Sequence, residues 1–259
     1  MPQSGARITW RGSTWSSVSS VGGNTLPQYW QVLRSRSRMF LRESARDYEF
    51  HSLFTELHNF CAVDLSAFYF DIRKDSLYCD APSSLKRRAY RTVLDTLFHA
   101  LVRWAAPVLV FTTEEVWGTR YPDAGSVHLL EWPDLPFLRH SRESGNLVED
   151  KELGPRFRGD DELEQRWNAL RELRAQVTER IEPLRRDKVV GSSLEAEVTV
   201  PSSEDLALLA ELFITSTVSE GDWKVGKSEK HKCGRCWRLL PEVTSDGDLC
   251  NRCDEGVNG

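Results

Sequence analysis

Near the end of the chain, Cys233 and Cys236 form a close pair, Cys250 and Cys253 form a second with the same spacing, and thirteen residues separate the two. Such a pair lets two thiolates converge on one ion, and two pairs complete a tetrahedron. All four corners are then sulfur, so the set predicts one structural zinc ion; a catalytic zinc would keep a position open for water. The competing reading is four free or disulfide-bonded cysteines without metal. An iron–sulfur cluster fits less well, because zinc-ribbon spacing matches better and no third close cysteine is present. Lys227, Lys230, His231, Lys232, Arg235 and Arg238 surround the first pair, and Trp237 follows Cys236 directly. A rigid knuckle that displays a ring among cations suits RNA, with an unstacked base on the ring and phosphates on the cations. Lys232, Arg235, Trp237 and Arg238 are therefore candidate RNA contacts. The alternative for Trp237 is packing over the metal site as its miniature core.

Lys86, Arg87, Arg88 and Arg91 form a second basic cluster, at the start of a predicted helix. A charge run on a helix is commonly its solvated face, but cations at an N-terminus oppose the helix dipole, which keeps RNA contact open as the second reading. His51, His58, His99, His128 and His140 lack partners at ligand or triad spacing, so surface or satisfied core is expected for each. No phosphate-binding glycine loop, nucleophile elbow, zinc-protease motif or catalytic cysteine with a base is present. No complete active site is legible.

The elements that must position these residues follow from periodicity. Residues 1 to about 27, rich in Ser, Gly and Thr, carry no period and are expected to be poorly ordered. Phe50, Phe54, Leu57, Cys61, Leu65 and Phe68 recur at steps of three or four, predicting a helix from near Asp47, which would cap it. A polar connection from about Asp75 to Ser84 leads to a second helix, capped by Ser83 or Ser84, with Tyr90, Leu94, Leu97, Leu101 and Trp104 buried and Pro107 forcing a kink or a stop. Thr112 and Glu115 have the form of a capping box for a short helix carrying Trp117. Tyr121 to Pro136 suits an extended segment, and the aperiodic interval from about Leu138 to Asp161 an exposed inserted loop. Leu163, Trp167, Leu170, Leu173, Val177, Ile181 and Leu184 then mark a long helix that Pro183 should bend or end. Ala196 to Val200 alternates as a strand, Ser202 or Ser203 can cap a helix from Leu206 to Leu212, and Phe213 to Val218 reads as a strand.

The 259 residues, 40% hydrophobic, suffice for real cores, and the net charge of -5 with pI near 5.8 confines any nucleic-acid contact to local patches. No run approaches the roughly 20 apolar residues of a membrane span, and the start has no signal-peptide core, so a cytoplasmic protein with no membrane partner is expected. Cys61 and Cys79 stand alone.

Several runs resemble isoleucyl-tRNA synthetase, a class I aminoacyl-tRNA synthetase family. Tyr48 to His51 and Asn59 to Tyr78 resemble its anticodon-binding helical domain, as does Trp104 to Trp117 with its proline and following helix. Asp187 to Val198 resembles the approach to its small C-terminal domain, and Lys232 to Arg238 with Cys250 to Cys253 resembles its zinc finger. The resemblance implies a complete enzyme that activates isoleucine with ATP and esterifies it to tRNA(Ile). The catalytic domain, its HIGH and KMSKS elements and the editing domain are missing from this sequence, which looks like a C-terminal fragment without catalysis of its own. ATP would be a cofactor only of the complete enzyme. The implied partner is the anticodon stem and loop of tRNA(Ile), with no DNA partner and a monomeric state expected. Two stretches depart from the family: residues 1 to about 40, and His140 to Asp161, which resembles peptides encoded by dispersed bacterial palindromic repeats.

The expected architecture is mainly α: a helical-bundle anticodon-binding domain, then a small α/β unit and a four-cysteine zinc-finger module. Its divisions are an unrelated segment 1–40, the helical domain 41–137, the inserted loop 138–161, a helix 162–189 continuing the bundle, the α/β unit 190–226 and the zinc module 227–259. The competing function is a zinc-stabilised protein-interaction remnant of a broken gene.

Overall fold

A computed structural model describes residues 41–133, 156–202 and 204–258, with side chains from residue 165 onward in the long helix. The expectations for residues 1–40, for 138–155 with His140, for Ser203 and for the side chain of Leu163 fall outside this range. The described residues are mainly helical, with a small sheet and a terminal four-cysteine cluster.

Residues 41–46 are helical (α1). One unbroken rod then runs through α2 (Phe50–Asn59), a π-helical segment (Phe60–Phe70) and α3 (Asp71–Cys79), with helical backbone at both joins. The π segment corrects the predicted stripe. Its i→i+5 bonding matches the five-residue interval between Phe60 and Leu65, both buried, whereas steps of three or four select Cys61, which is only partly buried. Upstream, Leu53 is buried while Phe50 and Phe54 stay 41% exposed. Asp47 is not the cap; the helix starts after Glu49, with no side-chain cap. The polar connection is also shorter than expected, because Asp75 to Cys79 complete α3.

Ser84 caps α4 (Leu85–Ala105) by accepting from the Arg87 N–H, and the helix stops two residues before Pro107. The next helix, α5 (Val110–Arg120), begins before Thr112, so the predicted capping box is overturned. Thr112 already lies inside the first turn. Past Ser126, which caps the 3-10 turn Val127–Leu129, the chain is otherwise irregular as far as residue 133.

Helix α6 (Arg156–Arg186) starts inside the interval read as an inserted loop and passes through Pro183 for one further turn. It ends in a Schellman arrangement: the Val189 N–H reaches Leu184 O at 2.9 Å and the Lys188 N–H reaches Arg185 O at 3.1 Å, with Lys188 left-handed at φ 58. Strand β1 (Ala196–Val200) is as predicted, with alternate residues buried. The cap of α7 (Leu206–Phe213) is Asp205, not Ser202: its carboxylate accepts from Ala207 and Leu208. Ile214 then adopts a left-handed conformation, φ 56, that closes α7. The β-branched run Phe213 to Val218 is therefore mostly a helix end, and β2 is only Thr217–Glu220. Strands order as β2-β1-β3, with β1 parallel to β2 and antiparallel to β3 (Lys224–Lys227).

One core joins these parts. Leu53, Phe60, Leu97 and Trp104 of the bundle, Trp167 and Val177 of α6, and Val198, Leu209 and Leu212 of the α/β unit belong to a single buried cluster. The predicted division at residue 190 thus marks a change of element type within one hydrophobic interior. Leu209→Ala, at a site with 0% exposure, should lose about 2–5 kcal/mol in urea unfolding. Phe54→Ala should lose less than about 1 kcal/mol; equal losses would contradict this assignment of the buried face.

Candidate metal centre and nucleic-acid interface

Strands β4 (His231–Lys232) and β5 (Leu239–Leu240) pair antiparallel and hold the first cysteine pair in the turn between them. The Cys233 N–H donates to Arg238 O at 3.0 Å, and the Trp237 N–H donates to Cys233 O at 3.0 Å. Trp237 sits at φ 63, in the left-handed region that a bulky residue enters only where surrounding structure imposes it. Gly234 is required for closeness: a Cβ there would lie 2.4 Å from Gly247 O. The second pair flanks the start of α8 (Asn251–Asn258).

The four sulfurs are buried and lie within 4.8 Å of one another. The Cys236 and Cys250 sulfurs are 3.8 Å apart, matching the edge, about 3.8 Å, of a tetrahedron with Zn–S bonds of about 2.3 Å. No disulfide joins the four, which removes the disulfide half of the competing reading and leaves its free-thiol half beside metal binding. Burial disfavours ionisation of Cys233, but the backbone N–H groups of Cys236, Arg235 and Cys250 outweigh it and bring its pKa down to about 6. Cys236 is pushed up to about 11 by burial and by its thiolate neighbours, and Cys253 is raised for the same reasons. A site that favours one thiolate and resists the next is suited to a divalent cation, and the four cysteines could hold one.

The arginine inside each cysteine pair reaches back to the end of α3. Arg235 donates to Tyr78 O at 2.8 Å and to Cys253 O at 3.1 Å, tying the knuckle to the end of α3. Arg252, in the second pair, reaches Asp75 at 2.6 Å and Asp80 at 3.4 Å. Arg238 donates to Ser216 O at 2.8 Å, and Lys232 pairs with Glu195 at 3.1 Å. Cys79 packs directly against the cysteine cluster. Three of the predicted RNA cations thus also fasten the module to the rest of the protein. Trp237 instead is 61% exposed, so it is not the miniature core; that place is taken by Val243, Leu240 and Leu249.

The second cluster divides similarly. Lys86 pairs with Glu211, and Arg87 donates to Asp80 O at 2.8 Å. Burial and the nearby Arg73 guanidinium bring Lys86 down to about 8, which leaves it charged at neutral pH. Arg88 and Arg91 are exposed. His99 is half-buried, with its Nε2 3.0 Å from the Tyr121 hydroxyl. Sequence reasoning missed Asp75, Asp80 and Arg252, because the partners lie 177 and 172 residues apart and leave no local pattern.

The family is shown by comparison. Residues 41–200 match the model described as the anticodon-binding domain of tRNA ligase, and the chain belongs to that family. Among curated relatives, the isoleucine–tRNA ligase of Zymomonas mobilis is 48% identical over 233 residues, covering 84% of this chain and 23% of that protein. The protein of the same name from Gluconobacter oxydans is 41% identical over 251 residues, covering 90% and 24%. That of Agrobacterium fabrum is 43% identical over 230 residues, covering 80% and 22%. The chain spans about a quarter of the length of these relatives. Among the described residues, no helix is long and apolar enough to cross a membrane.

If Arg252 docks the module on α3, Arg252→Ala and Asp75→Ala should each destabilise the terminal module, and the double variant should cost less than their sum. A coupling of about 1–2 kcal/mol is expected for this partly buried pair. Additive losses in a double-mutant cycle would show that the pair does not act together.

Proposed function

We propose that this chain is the tRNA-binding part of an isoleucine–tRNA ligase, gripping the anticodon stem and loop of tRNA(Ile). Isoleucine activation with ATP and its transfer to tRNA belong to the remainder of such a ligase, so the chain by itself is catalytically silent. In this reading Cys233, Cys236, Cys250 and Cys253 hold one zinc ion, which closes the knuckle and supplies no chemistry beyond structure. The family match on residues 41–200 supports RNA binding, and the names of the relatives support isoleucine tRNA as the partner.

The observation that carries the reading is Trp237, held out at 61% exposure on a knuckle whose other side chains are tied down. An aromatic face fixed in solvent costs apolar exposure without stabilising the fold, and a splayed loop base is a ligand that would cover it. Arg88 and Arg91 on α4 offer exposed charge for phosphates. Lys232, Arg235, Arg238, Lys86 and Arg87 contribute by positioning, with contact to RNA confined to whatever part of each guanidinium or ammonium remains open.

Filter binding of tRNA(Ile) to the purified chain should weaken steeply with salt, because phosphate contacts release counterions. Trp237→Ala should lower affinity about tenfold at fixed salt, with zinc content and melting unchanged. Binding that is absent or insensitive to salt would favour the other reading, a zinc-stabilised protein-docking module, over RNA recognition.

A further inference from the structure

A second large ring leaves the same junction as Trp237. Helix α3 ends with Cys79 turned inward against the cysteine cluster, 5% exposed, and with Tyr78 turned outward, 69% exposed. The carbonyl of Tyr78 is the one that Arg235 holds at 2.8 Å, and Arg235 stands two residues before Trp237 in the knuckle. One guanidinium thus ties the backbone beneath one exposed ring to the turn that carries the other. The junction is over-determined: Arg235 also holds Cys253 O, Arg252 holds Asp75 and Asp80 on the same helix end, and a Cβ at Gly256 would lie 2.6 Å from Cys79 O. The backbones carrying the two rings are therefore held at a fixed separation.

We propose that Tyr78 and Trp237 form a two-ring platform that takes two unstacked bases of an RNA loop, with Arg235 as the positioning residue that sets their spacing. The inference rests on the tRNA reading and extends the interface from the zinc module onto the end of the helical bundle. Stacking needs only a base face, so a pair of rings contributes affinity largely independent of base identity. Tyr78 would act through its ring, not its hydroxyl. Two rings on backbones held at one separation also discriminate by spacing, because a loop whose adjacent bases remain stacked on each other cannot engage both.

The test uses the full chain loaded with zinc, tRNA(Ile) and a synthetic anticodon stem-loop carrying 4-thiouridine in its loop. Tyr78→Ala should weaken binding about tenfold, Tyr78→Phe should restore it, and irradiation of the wild-type complex should crosslink RNA to the peptide bearing Tyr78 as well as to that bearing Trp237. If wild type binds and Trp237→Ala weakens it, yet Tyr78→Ala does not and the crosslink maps to Trp237 alone, the platform is overturned while the tRNA reading stands. Loss in both Tyr78 variants assigns the contact to the hydroxyl and likewise overturns it. Failure of the wild-type chain to bind either RNA overturns both. The crosslink remains decisive should Tyr78→Ala fold poorly.

Discussion

Mutual repulsion among four cysteine thiolates is the constraint on which the terminal module depends. At the 3.8 Å that separates Cys236 from Cys250, two thiolates repel by about 4 kcal/mol even at an effective dielectric of about 20. With all four sulfurs inside 4.8 Å, such repulsions multiply, so full ionisation requires a cation at their centre. The apolar contribution is small, since besides the four ligand cysteines the apolar residues gathered there are Val243, Leu240, Leu249 and the neighbouring Cys79. If the four cysteines hold an ion, as proposed, a module this small is folded largely by it.

The module in turn depends on the bundle. Arg235 and Arg252, one inside each cysteine pair, take their partners from the last turns of α3 and from Asp80 just beyond. Closing the knuckle and docking it are therefore coupled, because the same turns that converge the thiolates aim both guanidinium groups. The π segment belongs to this chain of dependence. A change of hydrogen-bond register in the Phe50 to Cys79 rod rotates everything downstream, including which α3 residues face the module. On the far side, Ser216 and Glu195 of the α/β unit hold Arg238 and Lys232, so the knuckle is gripped between two parts of one continuous core.

Much of this was legible in sequence. The cysteine spacing identified the cluster, and the long amphipathic periods identified α4, α6 and β1 because each buries a face with an ordinary repeat. What misled was local chemistry overruled by packing. Phe50 and Phe54 fit a helical stripe, but α2 buries the neighbouring face through Leu53 and Leu57, and Thr112 resembles a cap although α5 begins at Val110. Ile214 looks like a strand residue yet ends a helix in a left-handed conformation, which sequence gives no cause to expect of a β-branched side chain. At the site, Lys86, Arg87, Arg235 and Arg238 were visible as cations, but their acceptors, Glu211, Asp80 O, Tyr78 O and Ser216 O, come from elements not adjacent in sequence or from the backbone. Charge can be read from a sequence; whether that charge is already spoken for cannot.

One metal ion that both folds the terminal module and seats it on α3 would leave two signatures. Metal analysis of the reduced chain, combined with amide hydrogen exchange before and after a strong chelator, reads both. The expected result is one zinc per chain, and on its removal rapid exchange through residues 231–258 and in the last turn of α3, with protection retained in α4 and α6. A chain that carries no stoichiometric zinc, or whose terminal amides stay protected in chelator, would contradict it.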